Sequence, residues 1–241
     1  MTHPKIRLYV DQPLASGNSV LLDRDHANYL FNVMRVSVGS VVALFNGKDG
    51  EFSAKIVDAN KRRGVAVCEA QTKPLHMPPD LWLLFAPIKK ARTDFIVEKA
   101  AEMGAARIQP IQTDFTNSER VRQDRLQAHA VEAAEQCGGT YVPEVMGLTK
   151  LSKVLDVWPE DRQLLFCDEA RVGPAETLAE AAPGKWAIVI GPEGGFSNPE
   201  RTRLKEMSQT KAISLGPRIL RADTAAVAAL TIWQSALGDW T

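Results

Sequence analysis

The chain has 241 residues, 45% apolar and 24% charged, which suits one large globular domain or two unequal ones. Lysine plus arginine and aspartate plus glutamate balance at 29 each, excluding a global basic field, so a nucleic-acid partner must be held by a local patch. Cys68, Cys137 and Cys167 lie too far apart for a disulfide framework or a zinc site, so no metal is expected. The opening Met1-Thr-His-Pro-Lys-Ile-Arg7 has no apolar signal core and no segment reaches membrane-spanning length, so no membrane contact and a cytoplasmic location are expected.

In chain order, residues 6–10 and 19–22 read as short strands. Residues 25–34 read as one short helix capped by Asp23 or Asp25. Residues 41–46, 52–57 and 65–69 read as strands, the first two joined by the turn Asn46-Gly-Lys-Asp-Gly50. The first seventy residues therefore suggest a small β-barrel with one inserted helix. Basic residues punctuate it: Lys5 and Arg7, Arg24 and Arg35, then Lys61-Arg62-Arg63. They suit RNA phosphates, or else form a solubilising rim, and aromatic support for base stacking is thin.

Gln71-Thr-Lys-Pro-Leu-His-Met-Pro-Pro-Asp80 breaks both periodicities and reads as a linker. Beyond it, strands are expected at 81–86, 107–112 and 163–167, and helices at 92–103, 121–136, near Leu151 and at 174–181. Alternation of this kind implies a mainly parallel sheet covered on both faces. The divisions expected are 1–72, a linker 73–80, and 81–241.

Two units close the chain: Trp186-Ala-Ile-Val-Ile-Gly-Pro-Glu-Gly-Gly-Phe-Ser197, and Ala212-Ile-Ser-Leu-Gly-Pro-Arg-Ile-Leu-Arg-Ala-Asp-Thr-Ala225. Each is a buried strand stopped by Gly-Pro before a helical pattern resumes, which brings bare backbone to the carboxyl end of a strand. No P-loop, dinucleotide fingerprint or nucleophile elbow is present, and His3, His26, His76 and His129 lie outside these turns. What remains is a backbone-lined pocket with Glu193, Arg218, Arg221 and Asp223. Structural roles are also open to them: Glu193 as cap of a helix near Asn198, and Arg218 with Asp223 as an ion pair.

These motifs, with Arg7-Leu-Tyr-Val10, Val33-Met-Arg-Val36, Glu98-Lys-Ala-Ala-Glu-Met-Gly104 and Glu132-Ala-Ala-Glu-Gln-Cys-Gly138, closely resemble the RsmE family of 16S rRNA uridine nitrogen-3 methyltransferases, in the SPOUT superfamily. The resemblance covers nearly the whole chain. It implies an α/β fold class: an N-terminal PUA-like β-barrel for RNA, then a SPOUT α/β domain with a C-terminal trefoil knot. It also implies a homodimer and S-adenosylmethionine held by loops at 165–169, 190–195 and 215–220. The cofactor-binding residues it implies are Leu165, Phe166, Ile190, Gly191, Pro192, Glu193, Gly194, Gly195, Leu215, Gly216, Arg218, Ile219, Leu220 and Thr224. Arg221 is expected to stabilise the uridine anion, with Asp223 as base or as orienting group. RNA in the 30S subunit is expected at Arg7, Arg24, Arg35, Lys61, Arg62, Arg63, Arg120 and Arg122.

Two departures stand out. Arg221-Ala-Asp-Thr224 replaces the usual Arg-x-Glu-Thr, shortening the carboxylate, and Gly139 stands where an arginine commonly follows Glu-Gln-x-Gly, a place that Arg120 or Arg122 would have to fill. They leave room for two other readings. One is a non-catalytic RNA-binding ribosome-assembly factor. The other is a SPOUT methyltransferase acting on another RNA or on a ribose 2′-hydroxyl.

Overall fold

The computed structural model describes residues 4, 6–60, 62–117, 120–168, 178 and 181–240. The chain divides into two compact units, residues 1–77 with 134–142, and residues 78–133 with 143–241. The helix expected at 174–181 falls outside the described residues, 178 and 181 excepted.

The first unit is a five-stranded sheet of β1 (Arg7–Tyr9), β2 (Ser19–Leu22), β3 (Val41–Phe45), β4 (Glu51–Asn60) and β5 (Arg63–Lys73), in the order β1-β3-β4-β5-β2. β1 runs parallel to β3 and the other pairs are antiparallel. Alternation turns Val20, Leu22, Ile56 and Ala66 inward to a core shared with Val42, Leu44 and Leu30. The β3–β4 turn is pinned by Asn46, whose Oδ1 accepts from the Lys48 and Asp49 amides, while Asp49 Oδ2 accepts from the Leu14 amide at 2.9 Å.

The inserted helix differs from the single α-helix expected. Asp23 does cap it, accepting from the Asp25 and His26 amides, but α1 (Arg24–Ala27) gives way to a π-helical stretch, Asn28–Val33. The wider winding buries Leu30 and lays the Phe31 ring on Gly64, where a Cβ would stand 2.7 Å from it.

The second unit holds β6 (Leu81–Phe85), α2 (Lys90–Glu102), β7 (Arg107–Gln112), α3 (Gln123–Cys137), β8 (Glu144–Val145), β9 (Thr149–Lys150), α4 (Leu151–Asp156), β10 (Gln163–Cys167), β11 (Trp186–Ile190), α5 (Asn198–Glu206), β12 (Thr210–Ile213) and α6 (Ala222–Leu237). The last turn of α3 belongs to the 134–142 segment of the first unit. The sheet order is β12-β10-β11-β6-β7-β8, with β9 also on β7, and every pair is parallel. β6, β10 and β11 are near-continuous apolar runs because a parallel sheet covered by helices buries both faces of its strands.

α2 and α6 lie side by side in the same direction. Fully buried Gln234 of α6 donates to the Met103 carbonyl at the end of α2 at 2.6 Å, while at the other ends Arg92 faces Asp223. Between these two clasps Ile96, Val97 and Ala100 of α2, and Ala226, Ala229, Leu230 and Trp233 of α6, are buried. The start of α6 is thereby held beside the start of α2. No helix among the described residues is long and apolar enough to cross a membrane.

Candidate cofactor and RNA site

The carboxyl ends of β12, β10 and β11 are neighbours: Cys167 pairs with Ile213, and Phe166 with Val189. The two glycine turns therefore leave the sheet side by side with the end of β10, although 24 residues separate Ile190 from Ser214 in sequence. Leu165, Phe166 and Ile190 are buried, so what they can offer at this edge is backbone. In an open parallel sheet this is where a ligand meets polar main-chain groups not used by the ladder.

The first turn is shaped by aromatic packing. A Cβ on Gly191 would stand 2.7 Å from the Phe196 ring, and that ring meets Phe166 edge-on at 5.3 Å. Pro192 and Gly195 are buried, closed into a turn by the Gly195 amide donating to the Pro192 carbonyl at 2.9 Å, while Glu193 and Gly194 are exposed. The second turn is pinned from within, because Ser214 Oγ both accepts from the Gly216 amide and donates to its carbonyl, each at 3.2 Å. Gly216 has φ 120°, which a side chain would strain, and the space a Cβ would take is open. Leu215 and Leu220 are half-buried, and Arg218 and Ile219 are exposed.

The charged residues are arranged differently from either structural reading of the sequence. The cap of α5 is Ser197, whose hydroxyl accepts from the Glu200 amide while Glu200 accepts from the Ser197 amide, a capping box. Glu193 instead pairs with Arg92 at 3.2 Å. Arg92 Nε also lies 3.7 Å from Asp223 Oδ2, while Asp223 Oδ1 accepts from the Thr224 amide at 2.9 Å. Arg218 and Arg221 make no ion pair among the described residues, so Arg218 with Asp223 is not a couple. Arg221 is exposed at the N-cap position of α6.

Arg92, which joins the two charged segments, is not among the residues the sequence singled out. Its signal was present: Lys89, Lys90 and Arg92 crowd the start of α2, whose first turn has no acidic residue. Cations at the positive end of a helix dipole are unfavourable unless anions answer them. Glu193 and Asp223 do so for Arg92. At the neighbouring strand end, buried Asp168 is held by Arg201 and by Lys205 at 2.7 Å, fixing α5 beside β10. Burial pushes the Cys167 thiol up, keeping it neutral there. Glu169, also expected in a cofactor loop, lies outside the described residues.

The arginines expected at RNA divide into two sorts. Arg7 is committed to the protein: Nε donates to Glu51 at 2.5 Å, NH1 to the Ala134 and Glu135 carbonyls, NH2 to the Gly139 carbonyl, and the guanidinium lies over the Phe45 ring. It satisfies carbonyls at the end of α3, leaving little to offer a phosphate. Arg24, Arg35, Arg62 and Arg63 are exposed, and Lys61 lies outside the described residues. Leu22 pairs with Gly64, which places Arg24 and the 62–63 turn at one end of the first unit's sheet. Arg35 sits at φ 56°, a strained position for its side chain type, next to Met34, the C-cap of the π-helical stretch. In the second unit Arg120 and Arg122 are exposed, the latter paired with Asp124 at 2.6 Å.

Residues 76–234 match the model of an RNA methyltransferase domain, and residues 22–67 that of an RNA methyltransferase PUA domain. The ribosomal RNA small subunit methyltransferase E of Rickettsia conorii is 32% identical over 93% of each chain. The chain belongs to the ribosomal RNA small subunit methyltransferase E family. The member from Bacillus subtilis is 25% identical over 91% of each chain. The crystal structure of the Neisseria gonorrhoeae member, bound to S-adenosyl methionine, superposes with a TM-score of 0.87 at 29% identity, covering 98% of this chain and 99% of that one. A putative methyltransferase from Legionella pneumophila, in complex with the bound cofactor SAM, gives 0.88 at 28%, covering 97% and 98%.

For a member of this RNA methyltransferase family, the residues at the three strand ends fit S-adenosylmethionine. Open space at Gly216, exposed backbone at Gly194, and apolar Pro192, Leu215 and Leu220 provide main-chain donors and acceptors beside an apolar wall. An adenine and a ribose need that combination.

Proposed function

We propose that the chain transfers the methyl group of S-adenosylmethionine to nitrogen 3 of a uridine in the 16S RNA of the small ribosomal subunit. The observation that carries this reading is the placement of the two glycine turns at the ends of β11 and β12, the parallel strands on either side of β10, with Arg92 joining Glu193 of the first to Asp223 beyond the second. The cofactor is held by backbone of 190–195, 215–220 and the end of β10, with Arg218, Ile219 and Thr224 closing the outer side. When bound it supplies an electrophilic methyl group on sulfur and leaves as the thioether.

The protein's own part is to position the base and stabilise charge. Nitrogen 3 gives up its proton to solvent water, and the resulting anion forms the new bond to the methyl carbon as the carbon–sulfur bond breaks. Arg221, exposed and unpaired at the N-cap of α6, faces the negative charge spread over the uracil oxygens. Asp223 has one oxygen on its own helix start and the other towards Arg92, so it acts by holding that segment in place. Since nitrogen 3 is on the pairing edge, the uridine enters unpaired. Arg24, Arg35, Arg62 and Arg63 hold flanking RNA at the end of the first unit's sheet.

The architecture belongs to the same reading: a closed PUA-like barrel over 1–72, a linker at 73–80, and a SPOUT domain over 81–241. Its C-terminal segment is threaded as a trefoil knot and pairs two chains as a homodimer in the cytoplasm. Supporting the threading is the position of β12, which follows β11 in sequence but joins the sheet on the far side of β10. The test is transfer of labelled methyl to 30S subunits beside free 16S RNA. Incorporation at one uridine per RNA is expected, and no incorporation into either overturns the reading.

A further inference from the structure

Beside the site lies a cavity of about 540 Å³ in the second unit, between the first turn of α2, the 120–122 segment and the start of α3. Lys90, Arg120, Arg122 and Arg125 line it, and Asp94 is the acidic residue in its wall. Asp94 is spent on Arg125, and Asp124 on Arg122. Lys90 and Arg120 are exposed and make no ion pair among the described residues, so the cavity keeps an excess of positive charge. Lys89, the N-cap of α2, gives no side-chain cap, and no acidic residue occupies the first turn. Arg92, two residues from Lys90, has its anions in Glu193 and Asp223, and Arg122 and Arg125 have theirs in Asp124 and Asp94; Lys90 and Arg120 have none among the described residues.

Two routes join the cavity to the candidate active site. One is α2 itself, with Lys90 and Thr93 in the cavity wall and Arg92 between them at Glu193 and Asp223. The other is the loop after β7. Its Phe115 packs on Gly194, where a Cβ would stand 3.3 Å from Phe115 Cβ, and Phe115 precedes Arg120 by five residues in the sequence. Phe115 is 48% exposed. An exposed ring followed by cations is how a protein tracks a single strand, bases on the ring and phosphates on the cations.

We propose that this cavity seats backbone phosphates of the RNA strand on one side of the target nucleotide, with Phe115 stacking the base between cavity and active site. The proposal rests on the RNA methyltransferase reading above and adds a subsite to it. The strand leaves the Arg221–Asp223 segment over the start of α2, passes Phe115, and sets its phosphates against Lys90 and Arg120. The cavity thus fixes which nucleotide is presented. It takes no part in methyl transfer, nor in cofactor binding.

The experiment uses the full chain and a Lys90→Ala/Arg120→Ala double variant, with Lys153→Ala, a lysine outside the cavity, as control. Binding of 16S RNA is followed by filter retention across a salt series, and methyl transfer is measured on the same samples. The double variant is expected to bind RNA about tenfold more weakly, with the magnitude of its salt slope reduced by about 1.4, the value for two lost single-strand phosphate contacts. S-adenosylmethionine affinity and thermal midpoint should stay at wild-type values, as should the binding slope of Lys153→Ala. Phe115→Ala should weaken RNA binding at every salt concentration with no change of slope. An unchanged slope in the double variant overturns the proposal. Displacement of RNA by micromolar inorganic pyrophosphate also overturns it, since the cavity would then be a site for free phosphates. Failure of the wild type to transfer methyl would instead overturn the functional reading, and the binding series would still decide the cavity.

Discussion

Arg92 Nε lies 3.7 Å from Asp223 Oδ2, so the first turn of α2 holds the first turn of α6. Eleven residues on, Met103 and Gln234 repeat the clasp at the other ends of the same helices. Asp223 is thus one end of a rigid two-helix frame, and its neighbour Arg221 is aimed by that frame.

A positioning role for Asp223 has a definite kinetic signature. Asp223→Asn should lower the single-turnover rate about tenfold and Arg92→Ala, which also releases Glu193, at least as much, with the double variant little worse than Arg92→Ala alone because both remove the Arg92–Asp223 contact. The pH profile of Asp223→Asn should keep the wild-type shape. A limb lost from that profile would make Asp223 the base.

Arg221 has no structural duty among the described residues, so its loss should be chemical. Arg221→Ala should reduce kcat about 100-fold, the usual scale for one preorganised charge stabiliser, while calorimetric S-adenosylmethionine affinity is unchanged. A fall in cofactor affinity with kcat retained would move Arg221 into the cofactor site.

Gly191 is required by space. Gly191→Ala drives a Cβ into the Phe196 ring and should cost about 1–3 kcal/mol in urea unfolding, with weakened cofactor binding. Adding Phe196→Leu should restore part of the stability, and its failure to do so would show that the turn itself resists the methyl.

What could be read from the chain depended on the range of the interaction. Local signals served well: the apolar runs of β6, β10 and β11 and the Asn46 turn were visible as patterns. The π-helical winding at Asn28–Val33 was not, because its apolar residues suit an α-helix equally and the choice is made by Gly64 and Phe31 in space. Arg7 looked like an RNA contact because its acceptors at Ala134, Glu135 and Gly139 are more than 120 residues away. Its carbonyl acceptor at Gly139 is backbone, so the missing family arginine does not disturb this contact. Arg92 was hidden among lysines until Glu193 and Asp223 were folded beside it.

The Arg7–Glu51 pair gives a pH prediction for the first unit. Burial opposes ionisation of Glu51, yet the hydrogen bonds from Arg7 and Thr72 and the charges of Arg7 and Lys73 outweigh it and hold the carboxyl below its ordinary 4.5. A lowered carboxyl contributes stability above its unfolded value and loses it as the pH falls through the folded one. Amide protection in β1 and β3 should therefore fall away below pH 4.5. In Glu51→Gln it should start lower, by about 3 kcal/mol at neutral pH, and change less with acid. Protection in Glu51→Gln equal to wild type at pH 7 would mean the pair contributes nothing.

The central claim is that the two glycine turns and the Arg221–Asp223 segment form one site acting on the pairing edge of a uridine. Reverse transcription across 16S RNA methylated by the wild-type chain tests it most directly, because a methyl on nitrogen 3 blocks pairing and halts the copying enzyme. A single new stop at one uridine is expected, absent when Arg221→Ala is used. Full-length copying of RNA that has nevertheless taken up labelled methyl would place the methyl off the pairing edge and contradict it.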